Sequence, residues 1–84
     1  MLYRIVFAES AQKELRKITK PFGLRILRAI EKLAHNPRPA GCKKLVESDS
    51  YRIRINDYRV IYTIKDSELI IDVIKIAHRK QVYR

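Results

Sequence analysis

The 84 residues are 46% hydrophobic and 33% charged, fractions that exclude a disordered chain and predict one globular domain, residues 1–84, with a modest core. Nineteen lysine and arginine residues against nine aspartate and glutamate residues give a net charge of +10, so the expected partner is a polyanion: nucleic acid first, an acidic protein as the main alternative. The single cysteine excludes an intramolecular disulfide and fits a reducing cytoplasm, and the two isolated histidines have no metal-ligand spacing.

The chain opens with an expected strand followed by a helix. Residues 2–7 are rich in the β-branched and aromatic side chains that favour a strand. Their apolar run, residues 5–8, is the longest in the chain and is far too short for a membrane span or a signal-peptide core, so we expect neither. From residue 8 the period changes to that of a helix, whose apolar face is expected to hold Ala8, Ala11, Leu15 and Ile18.

A second helix is expected to begin near Pro21, because proline is tolerated in a first helical turn, and to stop at Asn36. Residues 36–39 then require extended backbone, because a residue before a proline avoids the α region. Two short helices joined at one proline predict an antiparallel helical hairpin. The apolar stripe of the second helix is expected to consist of Phe22, Ile26, Ala29, Ile30 and Leu33.

Residues 51–62 are the most strongly marked element, a β-hairpin with a two-residue turn at residues 56–57. Strand alternation puts Arg52, Arg54 and Arg59 on one side of this hairpin and apolar side chains on the other. A two-residue turn sets Arg54 directly opposite Arg59, an unfavourable like-charge pair that a bound anion would relieve. The alternative is that a solvated sheet face carries polar residues by default.

Basic residues flank the hairpin in the sequence. Lys43 and Lys44 fall in a short expected strand, where they either border a nucleic-acid groove or protect a sheet edge from aggregation. The tail, residues 78–84, is cationic and contains one histidine and one tyrosine. A solvated terminus is the ordinary interpretation of such a tail.

Residues 68–77 predict the last strand, which is apolar on both alternating sides and so suits a central position covered on both faces. Simple alternation puts Ile76 on the side opposite Ile71 and Val73, and it leaves the face of His78 undetermined. The element order β-α-α-β-β-β-β predicts an α+β fold: a helical hairpin packed on one side of a curved, mainly antiparallel β-sheet.

A series of short motifs, weak singly but specific in order and spacing, runs through nearly the whole chain. They are Tyr3-Arg4-Ile5-Val6-Phe7, residues 11–18, Asn36-Pro37, Lys44-Leu45, Tyr51-Arg52-Ile53-Arg54, residues 57–62 and residues 78–83. Together they resemble the RelE/ParE superfamily of bacterial and archaeal toxins from toxin-antitoxin modules, and the expected architecture is RelE/ParE-like.

The resemblance implies a compact cytoplasmic toxin that forms a hetero-oligomer with a cognate antitoxin protein. In the RelE-like branch such a toxin is an endoribonuclease that cleaves messenger RNA on the translating ribosome without a metal or other cofactor. In the ParE-like branch it poisons DNA gyrase instead. The ending, residues 78–83, looks like the RelE side. A plain RNA-binding module that uses the same basic face is a third alternative.

By motif, the resemblance carries functional roles onto Arg52, Arg54, Arg59, Arg79 and Tyr83. The wider set of expected RNA-binding residues is Arg52, Arg54, Arg59, Lys43, Lys44, Lys80 and Arg84. The chain departs from the best-known RelE pattern in having arginine, not lysine, at both basic positions after Tyr51. Arginine is a poor proton acceptor, because its pKa lies far above physiological pH, so phosphate binding survives this exchange and a lysine general base does not. Histidine is the side chain type that ordinarily changes its charge near neutral pH, so His78 or Tyr83 is then the expected proton carrier.

Overall fold

The structure, a computed structural model, describes residues 2–46 and 48–82, the last two by their backbone. In chain order the elements are β1 (Arg4–Phe7), α1 (Glu9–Lys17), α2 (Phe22–Leu33), β2 (Lys43–Lys44), β3 (Ser50–Ile55), β4 (Tyr58–Lys65), β5 (Ile70–His78) and α3 (Arg79–Val82). The strands form one sheet in the order β1-β5-β4-β3-β2. The predicted α+β class and element order are confirmed. Because β1 runs parallel to β5 while the other pairs are antiparallel, the sheet is mixed.

The core lies between the helices and one face of the sheet. Ala11 of α1 and the α2 residues Ile26, Ile30 and Leu33 are almost completely buried, as the helical periodicity predicts. Burying each large aliphatic side chain in this way contributes roughly 1.5–3 kcal/mol relative to exposure. The sheet residues of the same core are Ile53, Val60, Tyr62, Ile71, Val73 and Ile76. Among the residues described, no helix is long and apolar enough to cross a membrane.

The predicted hairpin is formed by β3 and β4, and its register is confirmed, including the pair Arg54 and Arg59. Asn56 in the turn adopts a φ of 55°, in the left-handed region that asparagine tolerates better than most residues. The apolar side of the hairpin packs under the helices. Arg52, Arg54 and Arg59 therefore project from the opposite face of the sheet, which the helices leave open.

Strand β5 departs from regular alternation at a β-bulge. Two successive β4 residues pair with Lys75 and Val73, so the register passes over Ile74. This extra residue brings Ile76 to the helix-covered face, the same side as Ile71 and Val73. The prediction that Ile76 lies on the other side is therefore wrong. The expectation of a strand covered on both faces is also wrong, because Ile74 is 38% exposed.

A polar cluster ties the loop after α2 to Tyr3, Tyr51 and Asp66, which lie at the ends of strands β1, β3 and β4. Arg38 donates to both carboxylate oxygens of Asp66, at 2.9 and 3.3 Å, and its Nε donates to the Tyr51 hydroxyl at 3.2 Å. The Tyr3 hydroxyl donates to Asp66 Oδ1 at 2.7 Å. These hydrogen bonds, first that from Arg38 and then that from Tyr3, lower the pKa of the Asp66 carboxyl below its usual range.

Tyr62 fixes the same loop from inside the core. Its side chain is fully buried, and its hydroxyl donates to the carbonyl oxygen of Pro37 at 2.7 Å. Burial is the main cause that raises the pKa of this phenol well above its ordinary value. The hydroxyl therefore remains a protonated donor, and the loop is held both by this bond at Pro37 and by the hydrogen bonds of Arg38.

Candidate nucleic-acid interface

The open face of the sheet carries its basic side chains in two rows that cross the strands. Paired residues project from the same face, so the register defines each row. The row beside the hairpin turn holds Arg54, Arg59 and Ala77. The second row holds Lys43, Arg52, Ile61 and Lys75. Rows two residues apart lie about 7 Å from each other, so these five basic residues share one surface, which we call the cationic face.

Three of the predicted arginines meet at the turn end of the cationic face, around a cleft of about 110 Å³. Arg54 and Arg59 enter this arginine cleft from β3 and β4, and Arg79 enters it from the first residue of α3. The backbone N–H of Arg79 donates to the carbonyl oxygen of Asp57 at 2.7 Å, which docks the end of β5 against the hairpin turn. The remaining lining residues are Asn56, Asp57 and Tyr58.

The arginine cleft concentrates like charge in one place. Arg54 and Arg59 are a direct cross-strand pair, and such a pair is unfavourable unless an anion lies between the two guanidinium groups. The Nε atoms of Arg52 and Arg59 are shielded from solvent, so both side chains lie partly embedded in the face. Guanidinium groups keep their charge at physiological pH and grip phosphate oxygens through a planar fork of donors. The arrangement suits an anion that accepts hydrogen bonds from several arginines at once.

The predicted RNA-binding lysines do not all share this surface. Lys43 belongs to the cationic face, whereas Lys44 pairs with Tyr51 and projects from the helix-covered side. Lys80 is exposed on α3. Across residues 2–46 and 48–82, no group of three or more histidine, cysteine, aspartate or glutamate side chains is arranged to hold a metal ion. The predicted positions outside the described residues are Tyr83 and Arg84.

His78 lies on the other side of β5 from the cationic face. It pairs with Tyr58, whose ring meets the imidazole edge to face at a centroid distance of 5.2 Å. Its Nδ1 accepts a hydrogen bond from the backbone N–H of Lys80 at 3.2 Å, so the neutral imidazole carries its proton on Nε2. The register does not bring His78 into the row of Arg54 and Arg59, and its role as proton carrier stays a prediction.

Sequence reasoning missed Lys75 and Asp57. Regular alternation would place Lys75 with Ile71 and Val73, on the helix-covered side, and only the bulge at Ile74 turns it to the open face. No residue pattern in this apolar strand marks the bulge. The sequence predicts Asp57 as a turn residue and as the first residue of the motif 57–62, with no functional role. Its place in the arginine cleft depends on how the end of β5 returns to the hairpin, which is a tertiary contact.

Comparison with known proteins shows the family of the chain. Residues 5–83 match the model of the family described as ParE toxin of type II toxin-antitoxin system, parDE. A curated relative, a RelE-like toxin protein of Escherichia coli, is 29% identical over 83 residues, which cover 96% of this chain and 87% of the relative.

Solved structures show the same architecture. The archaeal RelE–RelB complex from Pyrococcus horikoshii OT3 matches with a TM-score of 0.84 and 30% identity, over 94% of this chain and 97% of that chain. The intact Escherichia coli RelBE toxin-antitoxin complex matches with a TM-score of 0.80 and 26% identity, over 90% of this chain and 95% of that chain. Two helices on one face of a sheet with an open cationic face thus define a small toxin of the RelE fold. The chain belongs to the RelE/ParE superfamily of toxins from type II toxin-antitoxin modules.

Proposed function

We propose that this toxin is an endoribonuclease that cleaves messenger RNA on the ribosome and so inhibits translation in the cytoplasm. The observation that carries the proposal is the convergence of Arg54, Arg59 and Arg79 around one cleft on the open face of the sheet. In the reaction, the RNA 2′-hydroxyl loses its proton and attacks the adjacent phosphorus, and the bond from phosphorus to the 5′-oxygen of the next nucleotide breaks. That oxygen leaves with a proton, and the other product ends in a 2′,3′-cyclic phosphate.

The proposed role of the arginines in this reaction is electrostatic stabilisation of the transition state. Negative charge grows on the non-bridging oxygens as the phosphorane forms, and fixed donors aimed at that charge stabilise the transition state more than the substrate. Arg59 lies in β4, between β3 and β5 in the sheet, and opposite Arg54, so the ladder on both sides fixes its backbone. It is the best-placed cation for this role. Arg52, Lys43 and Lys75 would hold neighbouring phosphates from the second row.

Proton transfer is assigned to His78 or Tyr83, as the residues of the tail motif that can give or take a proton. To transfer a proton in this reaction, the imidazole of His78 would have to reach the RNA from the side of β5 on which Tyr58 lies. Its Nδ1 already accepts a hydrogen bond, so Nε2 would be the nitrogen that takes part. Separate replacement of the two residues decides between them.

A cognate antitoxin is the proposed partner, in a toxin-antitoxin hetero-oligomer. The matched structures from Pyrococcus horikoshii and Escherichia coli are complexes of a RelE toxin with its RelB antitoxin. The net charge of +10 favours an antitoxin with an acidic or amphipathic segment, because complementary charge speeds encounter. Purification from the native source should yield a small stoichiometric partner. A toxin that is always recovered alone would contradict this part of the proposal.

A second candidate function is poisoning of DNA gyrase, which the match to a ParE family model favours. It requires a binding surface but no proton carrier. Brief induction in cells separates the two: primer extension on cellular messenger RNA should find new cut sites with the wild-type toxin and none with Arg59→Ala. Intact messages together with blocked supercoiling would establish the gyrase alternative instead.

A further inference from the structure

Asp57 contributes an acidic residue to the wall of the arginine cleft. Among the six residues that line the cleft it is the acidic one, beside three arginines. Its Oδ1 lies 4.0 Å from Nε of Arg79. An anion-binding cleft gains nothing in affinity from a carboxylate in its wall, so anion binding alone does not account for an aspartate at this position.

The contacts of Asp57 converge on one arginine. Its carbonyl oxygen accepts the Arg79 backbone N–H at 2.7 Å, and its carboxylate faces the guanidinium of the same residue. Both side chains are more than 60% exposed, at 64% and 63%, so this ion pair has little weight in the stability of the fold. The pair bears instead on the direction of the Arg79 side chain, which extends from the first residue of a four-residue helix.

We propose that Asp57 is a positioning residue for Arg79 and a built-in counter-ion of the phosphate site, an inference that rests on the proposed function. The backbone hydrogen bond fixes the position of the Arg79 main chain, and the Asp57 carboxylate orients the Arg79 guanidinium. The same negative charge repels the substrate phosphate. Asp57 therefore weakens binding of the substrate and aligns the cation that stabilises the transition state. Both effects raise kcat, because they favour the transition state over the bound substrate.

Loss of the Asp57 charge should have opposite effects on substrate affinity and on kcat. In Asp57→Asn the side chain keeps its size and its tolerance of the turn, but it loses its charge. If a phosphate binds within about 5 Å of this carboxylate, removal of the negative charge should lower KM by about three- to fivefold. The unaligned Arg79 should lower kcat by about tenfold or more, because small misplacements of a catalytic group are costly. A merely structural loss would not tighten binding while it slows the reaction.

The matched control is Asp49→Asn, which changes the net charge equally at an exposed residue of the loop before β3. Both variants and the wild type are compared by cleavage of ribosome-bound message over a range of message concentrations. Lower KM with lower kcat in Asp57→Asn, and neither change in Asp49→Asn, supports the inference. An unchanged kcat, a raised KM, or equal changes in the two variants overturns it.

A second readout keeps this test separate from that of the proposed function. If the wild type cleaves no message, the nuclease proposal fails, and the inference is then decided by NMR of the Arg79 Nε–H resonance and by the affinity for a short RNA oligonucleotide. Asp57→Asn should shift that resonance and tighten oligonucleotide binding by about three- to fivefold, while Asp49→Asn leaves both as in the wild type. An unmoved resonance or an unchanged affinity in Asp57→Asn refutes the inference.

Discussion

The salt dependence of RNA binding should distinguish lysines that differ only in the face of the sheet they occupy. Each phosphate that a cation neutralises on single-stranded RNA contributes about 0.7 to the slope of log affinity against log salt. The cationic face together with Arg79 supplies six basic side chains. If each meets one phosphate, the slope of the wild type is about −4.

The informative pair is Lys75→Ala and Lys44→Ala. Lys75 lies on the cationic face because of the bulge at Ile74, and Lys44 is a lysine that projects from the helix-covered side. Both changes remove one positive charge from an exposed residue. Lys75→Ala should make the slope shallower by about 0.7, and Lys44→Ala should leave it unchanged.

Fluorescence titration of a short oligoribonucleotide between 50 and 200 mM salt, about the range over which such slopes are measured, checks this prediction. Arg54→Ala serves as the positive control, with an expected loss of about 0.7. Equal slopes for Lys75→Ala and Lys44→Ala would refute the assignment of RNA to the open face, because the two residues would then contribute alike.

Three further predictions follow from single groups. Tyr62→Phe removes the hydroxyl that donates to Pro37, so urea unfolding should show a loss of about 1–2 kcal/mol. Asp66 has a pKa lowered below 3.8 in the fold, so it contributes stability above that pH that is lost as the pH falls through the lower folded pKa; acid unfolding of Asp66→Asn should lack this part of the pH dependence. Of His78→Ala and Tyr83→Phe, the variant that removes the proton carrier should cleave about 10² to 10⁴ times more slowly in single-turnover assays, and full activity in both would exclude these residues from proton transfer.

Local patterns in the sequence were enough to predict the hairpin and its arginines. The turn at residues 56–57 and strict alternation on either side are short-range features, so the pairing of Arg54 with Arg59 follows from the chain alone. The two helices are marked in the same way, by apolar spacing and by the prolines at their ends. The exception is Phe22, which is predicted as the first residue of the buried stripe of the second helix. It is 36% exposed and lies at the margin of the core, where its ring is next to that of Tyr58.

What the sequence could not predict depends on contacts between distant segments. The parallel pairing of β1 with β5 joins the two ends of the chain, and it is not encoded in either strand by itself. The bulge at Ile74 changes the face of every later residue in β5, so one unmarked insertion decided the positions of Lys75, Ile76 and His78. Arg79 approaches Asp57 because it directly follows the last residue of β5, and the end of this strand lies against the hairpin turn.

The central claim is that arginines of the cationic face stabilise the transition state of RNA cleavage. Arg59 tests it best, because its backbone is fixed within the ladder and its removal leaves the apolar side of the hairpin intact. Loss of one such donor typically lowers the rate by about 10² to 10³. Arg59→Lys should restore only part of it, because lysine lacks the planar fork that grips two phosphate oxygens.

The most direct measurement is single-turnover cleavage of a ribosome-bound message by the wild type, Arg59→Ala and Arg59→Lys, each shown to be folded. The wild type is used both untreated and after treatment with EDTA, with the chelator removed before the toxin meets the ribosomes. We expect equal cleavage by the untreated and treated wild type, a rate lower by about 10² to 10³ for Arg59→Ala, and an intermediate rate for Arg59→Lys. Full activity of Arg59→Ala, or complete loss of wild-type cleavage after the EDTA treatment, would contradict the central claim.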